Sequence, residues 1–525
     1  MPVMGRVVQV LLPLGLYWWG LSFSLRVSKT LWWMFPILFL GAFNIVLSFL
    51  FGKGIIAVDM WLNLPTSGSG EKVEMLSQIY PAVVAVVLIY LPLLAFAAYD
   101  VRKKKILLDK AFRARQVIVG VSLVLVALPM TFLVSGSGSW TILNDLFPVN
   151  VCYNLRLAVS RYAMSSKYLE DSRDFRFHSV SEDTVPKVVV LVIGETSRAA
   201  NWQLHGYSRE TTPLLCATQG MTVFSDCMSQ SNTTHKSVPI ILSPATADNY
   251  GALYSSKGLL AAFNEAGYHT AFISNEPRNN SYNDFLGEQA GEVLFLRDSL
   301  SGNLMDSLLL PEVRSVLDRN KGNLMMVIHT YGSHSTYSDR YTREDAYYTP
   351  DKVVRATRDN RNILINAYDN TIRYTDRILH AVITMLQSQD RPAALLFTSD
   401  HGEDIYDDAR YLFLHASPWP SYYQLHTPFF IWTDSVYRRQ YPERVRFLET
   451  RVAEPIQSDC VFPTMLGLGG IATPYGQDSL SLTSPKYITK KQRTYLNDHN
   501  EPVTLERCLE KEDIMVMKER GMRPY

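Results

Sequence analysis

The sequence predicts an N-terminal transmembrane α-helical bundle joined to an α/β domain built on a parallel sheet. Three observations predict it. Long apolar runs are confined to the first 137 of 525 residues. From Lys187 onward, apolar runs of strand length alternate with segments of helical periodicity. Three of those runs end on residues of the kind that ligate metals or carry protons.

The bundle rests on four runs: Val7 to Leu25, Leu31 to Phe51, Leu76 to Tyr99 and Gln116 to Ser135. Each is close to the ~20 apolar residues needed to cross a ~30 Å hydrocarbon core. The first run competes with a cleavable signal, but no small-residue cleavage site follows and another span arrives at once. The loop "DVRKKKILLDKAFRAR" carries Arg102, Lys103, Lys104, Lys105, Lys110, Arg113 and Arg115. Positive loops stay in the cytoplasm. Arg26 and Lys29 then also fall inside, whereas the Gly52–Met75 loop and everything after Ser135 fall outside. A net charge of +1 gives no reason to expect a nucleic-acid partner. Cys152, Cys216, Cys227, Cys460 and Cys508 fit no zinc spacing. In an oxidising compartment Cys216 and Cys227 either close a small disulfide loop or remain thiols, and the odd count leaves one cysteine unpaired within the chain.

Residues 138–185 are more polar and amphipathic, as in "CYNLRLAVSRYAMSSKYLEDSRDF", which predicts interfacial helices and a linker. The predicted domains are therefore 1–137, 138–185 and 186–525. In the third, "KVVVLVIGE", "HTAFISNE", "NLMMVIHTYGSH", "AALLFTSDHGED" and "TPFFIWTD" read as strands buried on both faces, hence a parallel sheet. "LINAYDNTIRYTDRILHAVITMLQ" reads as a covering helix.

Ligands of open α/β sheets bind beyond the carboxyl ends of the strands. There the chain places Glu195, Asp400 with His401, and His329 leading to His334. Two carboxylates and an imidazole suit a tetrahedral zinc site with an open position. His415 and His334 lie on following loops, and "SQSNTTHKSVP" supplies hydroxyls. A threonine hydroxyl is a weak nucleophile at neutral pH and needs a metal or a base. A helix starting near His235 puts its positive end beside Thr234 and any bound phosphate.

Together these segments resemble the phosphoethanolamine transferases of Gram-negative envelopes, in the alkaline phosphatase–sulfatase superfamily. "GETSRAANWQLHGYSRETTP", "NTTHKSVP", "YDNTIRYTD" and "TSDHGED" carry the resemblance, which covers most of the chain. It implies an inner-membrane protein, a monomer, with a periplasmic domain. That domain moves phosphoethanolamine from phosphatidylethanolamine to a glycolipid or glycan through a phosphothreonine-type intermediate. It also implies that Glu195, Thr234, Asp400 and His401 hold zinc and that Thr234 is the nucleophile, with Thr233 as competitor. His334 and His415 match the histidines that hold the phosphate or a second zinc. Asn275 falls where a substrate-facing residue is expected. Glu403 and His329 are assigned to support of the metal site. In the outer loop "LNLPTSGSGEKVE", Asn63, Ser67 (or Thr66) and Glu71 match a lipid-facing segment. Two departures stand out. Gln230 and Ile240 occupy places where members conferring colistin resistance have cysteines, which weakens assignment to the lipid A branch. Four spans are counted where the family has five, the absent one being the first.

Overall fold

The computed structural model describes residues 3–51, 56–66, 69–135, 140–353 and 355–523. They form two compact units, the first running to Arg161 and the second from Tyr162 to Tyr525. The 138–185 stretch is therefore shared between the two units.

All four apolar runs are helical in the first unit: α1 (Val3–Leu21), α2 (Phe35–Phe51), α3 (Ser69–Tyr99) and α4 (Lys110–Ser135). A short helix, Val27–Trp33, precedes α2, so the second predicted run is interrupted at Met34. Two segments, Val83–Lys104 and Lys110–Ser135, are long and apolar enough to cross a membrane by length and composition. Helices α1 and α4 cross closely because Gly120 leaves room: a Cβ there would lie 2.7 Å from the Trp19 amide nitrogen. Small residues let apolar helices approach in this way. Val8, Leu12, Ala127 and Val134 pack at that crossing. The amphipathic segment forms α5 (Val149–Ser165).

The second unit is built on a seven-stranded sheet. Its strands are β1 (Val188–Gly194), β2 (Met221–Val223), β3 (His269–Ser274), β4 (Glu292–Phe295), β5 (Leu324–His329), β6 (Ala393–Ser399) and β7 (Phe429–Thr433). Their spatial order is β2-β7-β6-β1-β5-β3-β4. The pairs β6-β1, β1-β5, β5-β3 and β3-β4 are parallel. The expectation of a parallel sheet is corrected at one side, where β7 runs antiparallel to both β6 and β2. An unbroken apolar run reports burial on both faces but carries no direction, which is why "FFIWT" read like its neighbours.

Burial explains the valine run of β1. Val189, Leu191 and Ile193 enter one apolar layer with Val238, Ile241 and Phe462. Val188, Val190 and Val192 enter the other, with Leu364, Tyr368 and Ile372. Fully burying each such side chain is worth about 1.5–3 kcal/mol. Two helices matter for the site: α6 (Thr234–Leu242) on the first layer and α7 (Arg361–Gln387) on the second. All five cysteines are free thiols, so the Cys216–Cys227 loop is not closed. Cys227 is buried within the first layer, whereas Cys216 is exposed.

Candidate active site

Strand register assembles the site. Gly194 of β1 lies level with Ser399 of β6, so the next residues, Glu195 and Asp400, leave the sheet side by side. The Asp400 amide donates to Gly194 O at 3.0 Å. Glu195, Asp400 and His401 bring one ligand atom each within 4.8 Å of one another, all buried. Thr234 arrives from a different direction, as the first residue of α6, with Thr233 at the N-cap. Its hydroxyl lies 3.4 and 3.3 Å from the two Glu195 oxygens and 3.2 Å from His401 Nε2.

Burial in this cage disfavours charge on every group in it. Burial, then the neighbouring Asp400, holds the Glu195 carboxyl well above the ordinary carboxylate range. Burial likewise raises Asp400. Burial and the nearby His415 push His401 well below the usual imidazole value. His401 Nδ1 must donate to Gly402 O, 2.9 Å away, because a carbonyl can only accept. Nε2 is then the unprotonated nitrogen and faces the cluster. Asp400 Oδ2 is buried without a hydrogen-bond partner. Two carboxylates, an imidazole lone pair and a hydroxyl converge; the Thr196 hydroxyl donates to Glu195 Oε1 at 2.5 Å and the Thr196 and His401 amides donate to Asp400 Oδ1, which leaves Asp400 Oδ2 without a donor. Buried groups of this kind persist when a cation compensates them. The donor set is that of a divalent metal ion with N and O ligands.

His415 lies beside this cage, its ring centroid 4.3 Å from that of His401. Its Nδ1 donates to Glu403 Oε2 at 2.9 Å, and the other Glu403 oxygen accepts from the Tyr337 hydroxyl. Glu403 thus fixes the orientation of His415. Leu414 and Ala416, on either side, have φ of +66° and +60°. Left-handed backbone at non-glycine residues stores strain and clusters at functional sites. Thr196 after Glu195 does the same at +57°, with its amide donating to Asp400 Oδ1 at 3.1 Å. His334 has its ring centroid 6.5 Å from that of His415 and stacks on Tyr331. Burial, then Arg340, pushes it well below the usual imidazole value, and its Nδ1 is buried without a partner.

The remaining expectations are placed as follows. His329 is level with Ile193, one position inside the rim, fully buried and pushed down to about 4 by burial. Asn275 is also fully buried, its amide nitrogen donating to Leu304 O and Asp306 Oδ1. Ser67 lies outside the described residues, as do the side chains of Asn63, Thr66 and Glu71.

Several supporting residues escaped the sequence reading. Asp306 accepts the amides of Tyr331 and Gly332, each at 2.9 Å, and so shapes the turn before His334. Arg198 donates to Glu403 O at 3.0 Å and pairs with Asp407 at 2.6 Å. Helix α7 braces the "GETSRAAN" turn: the Tyr368 hydroxyl donates to Thr196 O and accepts from the Arg198 amide. Asp369 accepts from Asn201 and Tyr207. The conjunction of "GETSR" with "YDNTIRYTD" was the available signal for that bracing.

Residues 187–471 match the protein-family model described as Sulfatase. The phosphoethanolamine transferase EptA of Salmonella typhimurium is 31% identical over 309 residues, covering 57% of this chain and 56% of that protein. The chain thus spans about half the length of the curated relatives it matches. The integral membrane lipooligosaccharide phosphoethanolamine transferase A of Neisseria meningitidis superposes with a TM-score of 0.70 at 24% identity, covering 86% of each chain. The zinc complex of the C-terminal periplasmic domain of EptC from Escherichia coli gives 0.57 at 23% identity, covering 64% of this chain and 97% of that one. These two likenesses establish the fold across both units.

Proposed function

The chain belongs to the sulfatase family, and from that premise we propose that it is a zinc-dependent phosphoethanolamine transferase of the bacterial inner membrane, with its second unit in the periplasm. The donor is phosphatidylethanolamine. The acceptor is a lipopolysaccharide, at lipid A or core, or a periplasmic glycan. One observation carries the reading: the Thr234 hydroxyl stands at the start of α6, within 3.4 Å of Glu195 and His401. The similarity to EptA over the second unit supports it. A formylglycine sulfatase would need Cys or Ser in a C/S-x-P-x-R context, which "NTTHKSVP" lacks.

In this reading Glu195, Asp400, His401 and Thr234 hold zinc. A zinc ion there supplies a Lewis acid that polarises the phosphoryl oxygen and lowers the pKa of the threonine hydroxyl. Thr234 Oγ forms a bond to phosphorus as the bond to the diacylglycerol oxygen breaks, and the threonine proton ends on the released alcohol. The positive end of α6 favours the phosphoryl charge. His415, aimed by Glu403, and His334 bind phosphoryl oxygens. An acceptor oxygen then attacks phosphorus, its proton passes to Thr234 Oγ, and the free threonine returns. Water must be delayed at the intermediate until the acceptor arrives.

The test uses full-length protein in phosphatidylethanolamine vesicles, with and without envelope lipopolysaccharide. The reading expects diacylglycerol release with phosphoethanolamine on the acceptor. Free phosphoethanolamine at the same rate in both cases would make the protein a membrane-bound phospholipase C. Diacylglycerol release from a phosphatidylglycerol donor, with glycerolphosphate appearing on the acceptor, would make it a glycerolphosphate transferase, and a protein that retains no zinc and shows no turnover would fit an inactive sensor.

A further inference from the structure

The loops that carry Thr234, His401 and His415 are tied to one another by two buried side-chain amides. Asn232 and Gln424 are 2% and 1% exposed. Asn232 Nδ2 donates to Gln424 Oε1 at 2.6 Å and to Ser417 O at 2.8 Å. Asn232 Oδ1 accepts from the Tyr495 hydroxyl at 2.7 Å, and its backbone oxygen accepts from the Ala416 amide at 3.2 Å. The residue two before the nucleophile therefore grips the turn that follows His415 through both backbone and side chain. Gln424 completes the tie. Its Nε2 donates to Asp404 Oδ2 at 2.6 Å, and its backbone oxygen accepts from Gly402, beside His401, at 2.8 Å.

This fastening meets a need visible in the backbone. His415 sits between two left-handed non-glycine residues, a conformation that persists only where surroundings enforce it. We propose that the Asn232–Gln424 amide pair is a positioning element that sets the spacing between Thr234 and His415. The inference rests on the reading of Thr234 as nucleophile. Neither amide touches the reacting atoms; both act through the loops they join. Their polar atoms are consumed by one another and by neighbours from three segments, around Asp404, Ser417 and Tyr495, so a contribution limited to local stability would leave turnover per folded molecule unchanged.

The test is a double-mutant cycle in the full-length protein. Asn232→Ala, Gln424→Ala and the double variant are compared for kcat and KM in diacylglycerol release from phosphatidylethanolamine vesicles, for zinc content, and for hydrogen exchange across residues 412–418. Expected are a kcat loss of about tenfold or more in each single variant, with donor KM and zinc unchanged, and a double variant no worse than the poorer single one. Exchange across 412–418 should quicken in all three. Asn232→Asp, nearly the same size, covers the case of an unfolded alanine variant. It should lose kcat equally, because a donor to Ser417 and Gln424 becomes an acceptor. Unchanged kcat, additive losses, or losses that track zinc content would overturn the proposal. If wild type releases no diacylglycerol yet exchange quickens in the variants, the functional reading fails and the coupling of the loops stands. If exchange does not quicken either, both fail.

Discussion

Replacing Gly332 by alanine probes a close backbone approach at the rim of the sheet. Gly332 has φ of +50°, and a Cβ built on it would lie 2.6 Å from Glu195 O, 2.8 Å from Glu195 N and 3.2 Å from Glu195 Cβ. The first two contacts are with backbone atoms and cannot be relieved by a rotamer change. The Glu195 backbone must therefore shift by roughly 0.5–1 Å, and a misplacement of that order in a reacting constellation costs on the order of 10²-fold in rate. Two stability costs accompany it: about 1–2 kcal/mol for left-handed backbone with a Cβ, and about 1–3 kcal/mol for overpacking. Gly206 separates the two effects. Its φ is +87° and a Cβ there meets nothing within 4 Å, so Gly206→Ala pays only the backbone strain. The assay is diacylglycerol release per folded molecule, beside an unfolding midpoint and zinc content for each variant. Gly206→Ala should lose a little stability and keep its turnover, whereas Gly332→Ala should lose both and retain less zinc. Equal turnover in the two variants would refute the claim that the close approach of Gly332 sets the position of Glu195.

Thr234→Ala should abolish transfer while the unfolding midpoint stays close to wild type, because little more than a hydroxyl is removed; residual transfer above background would exclude Thr234 as the nucleophile. Glu403→Gln leaves one acceptor oxygen for two donors, the Tyr337 hydroxyl and His415 Nδ1. Losing a hydrogen bond to a charged group costs about 1.5–3 kcal/mol, so kcat should fall roughly 10–100-fold with zinc content retained, and a normal kcat would show that His415 needs no such anchor. Burial and nearby Arg520 push His205 down to about 4 from an ordinary 6.5. The unfolded chain therefore takes up this proton first as pH falls, so stability is full above about 6.5 and declines toward pH 4. His205→Gln should show a smaller drop in unfolding midpoint between pH 7.5 and 5 than wild type, and identical drops would contradict the assignment.

Much of this was legible because burial writes itself into composition. "VVVLVIG" had to be a strand covered on both faces, and its last residue had to stand at the ligand-binding rim, so Glu195 could be named before any geometry was known. Asp400 and His401 followed by the same logic from "LLFTSDH". The strand directions were not legible: Phe429–Thr433 is as buried as β1 yet runs the other way. Nor were the edge strands Met221–Val223 and Glu292–Phe295, which are short and only partly buried. The bracing of His415 by Glu403 and Tyr337 depends on a side-chain contact 66 residues apart in sequence, for which local pattern holds no signal. Asn275 stands one residue beyond the end of its strand, as its place in the sequence suggests, but the contacts of its side-chain nitrogen with Leu304 and Asp306 lie 29 and 31 residues away and left no local signal.

The most direct test of the central claim is the mass of the protein itself. Full-length enzyme is incubated with phosphatidylethanolamine vesicles in the absence of acceptor, quenched, and analysed as intact protein and as peptides. The account predicts a single phosphoethanolamine group on Thr234, absent in Thr234→Ala and discharged when lipopolysaccharide is added. A group mapped to Thr233, or steady diacylglycerol release with no adduct on any side chain, would contradict it.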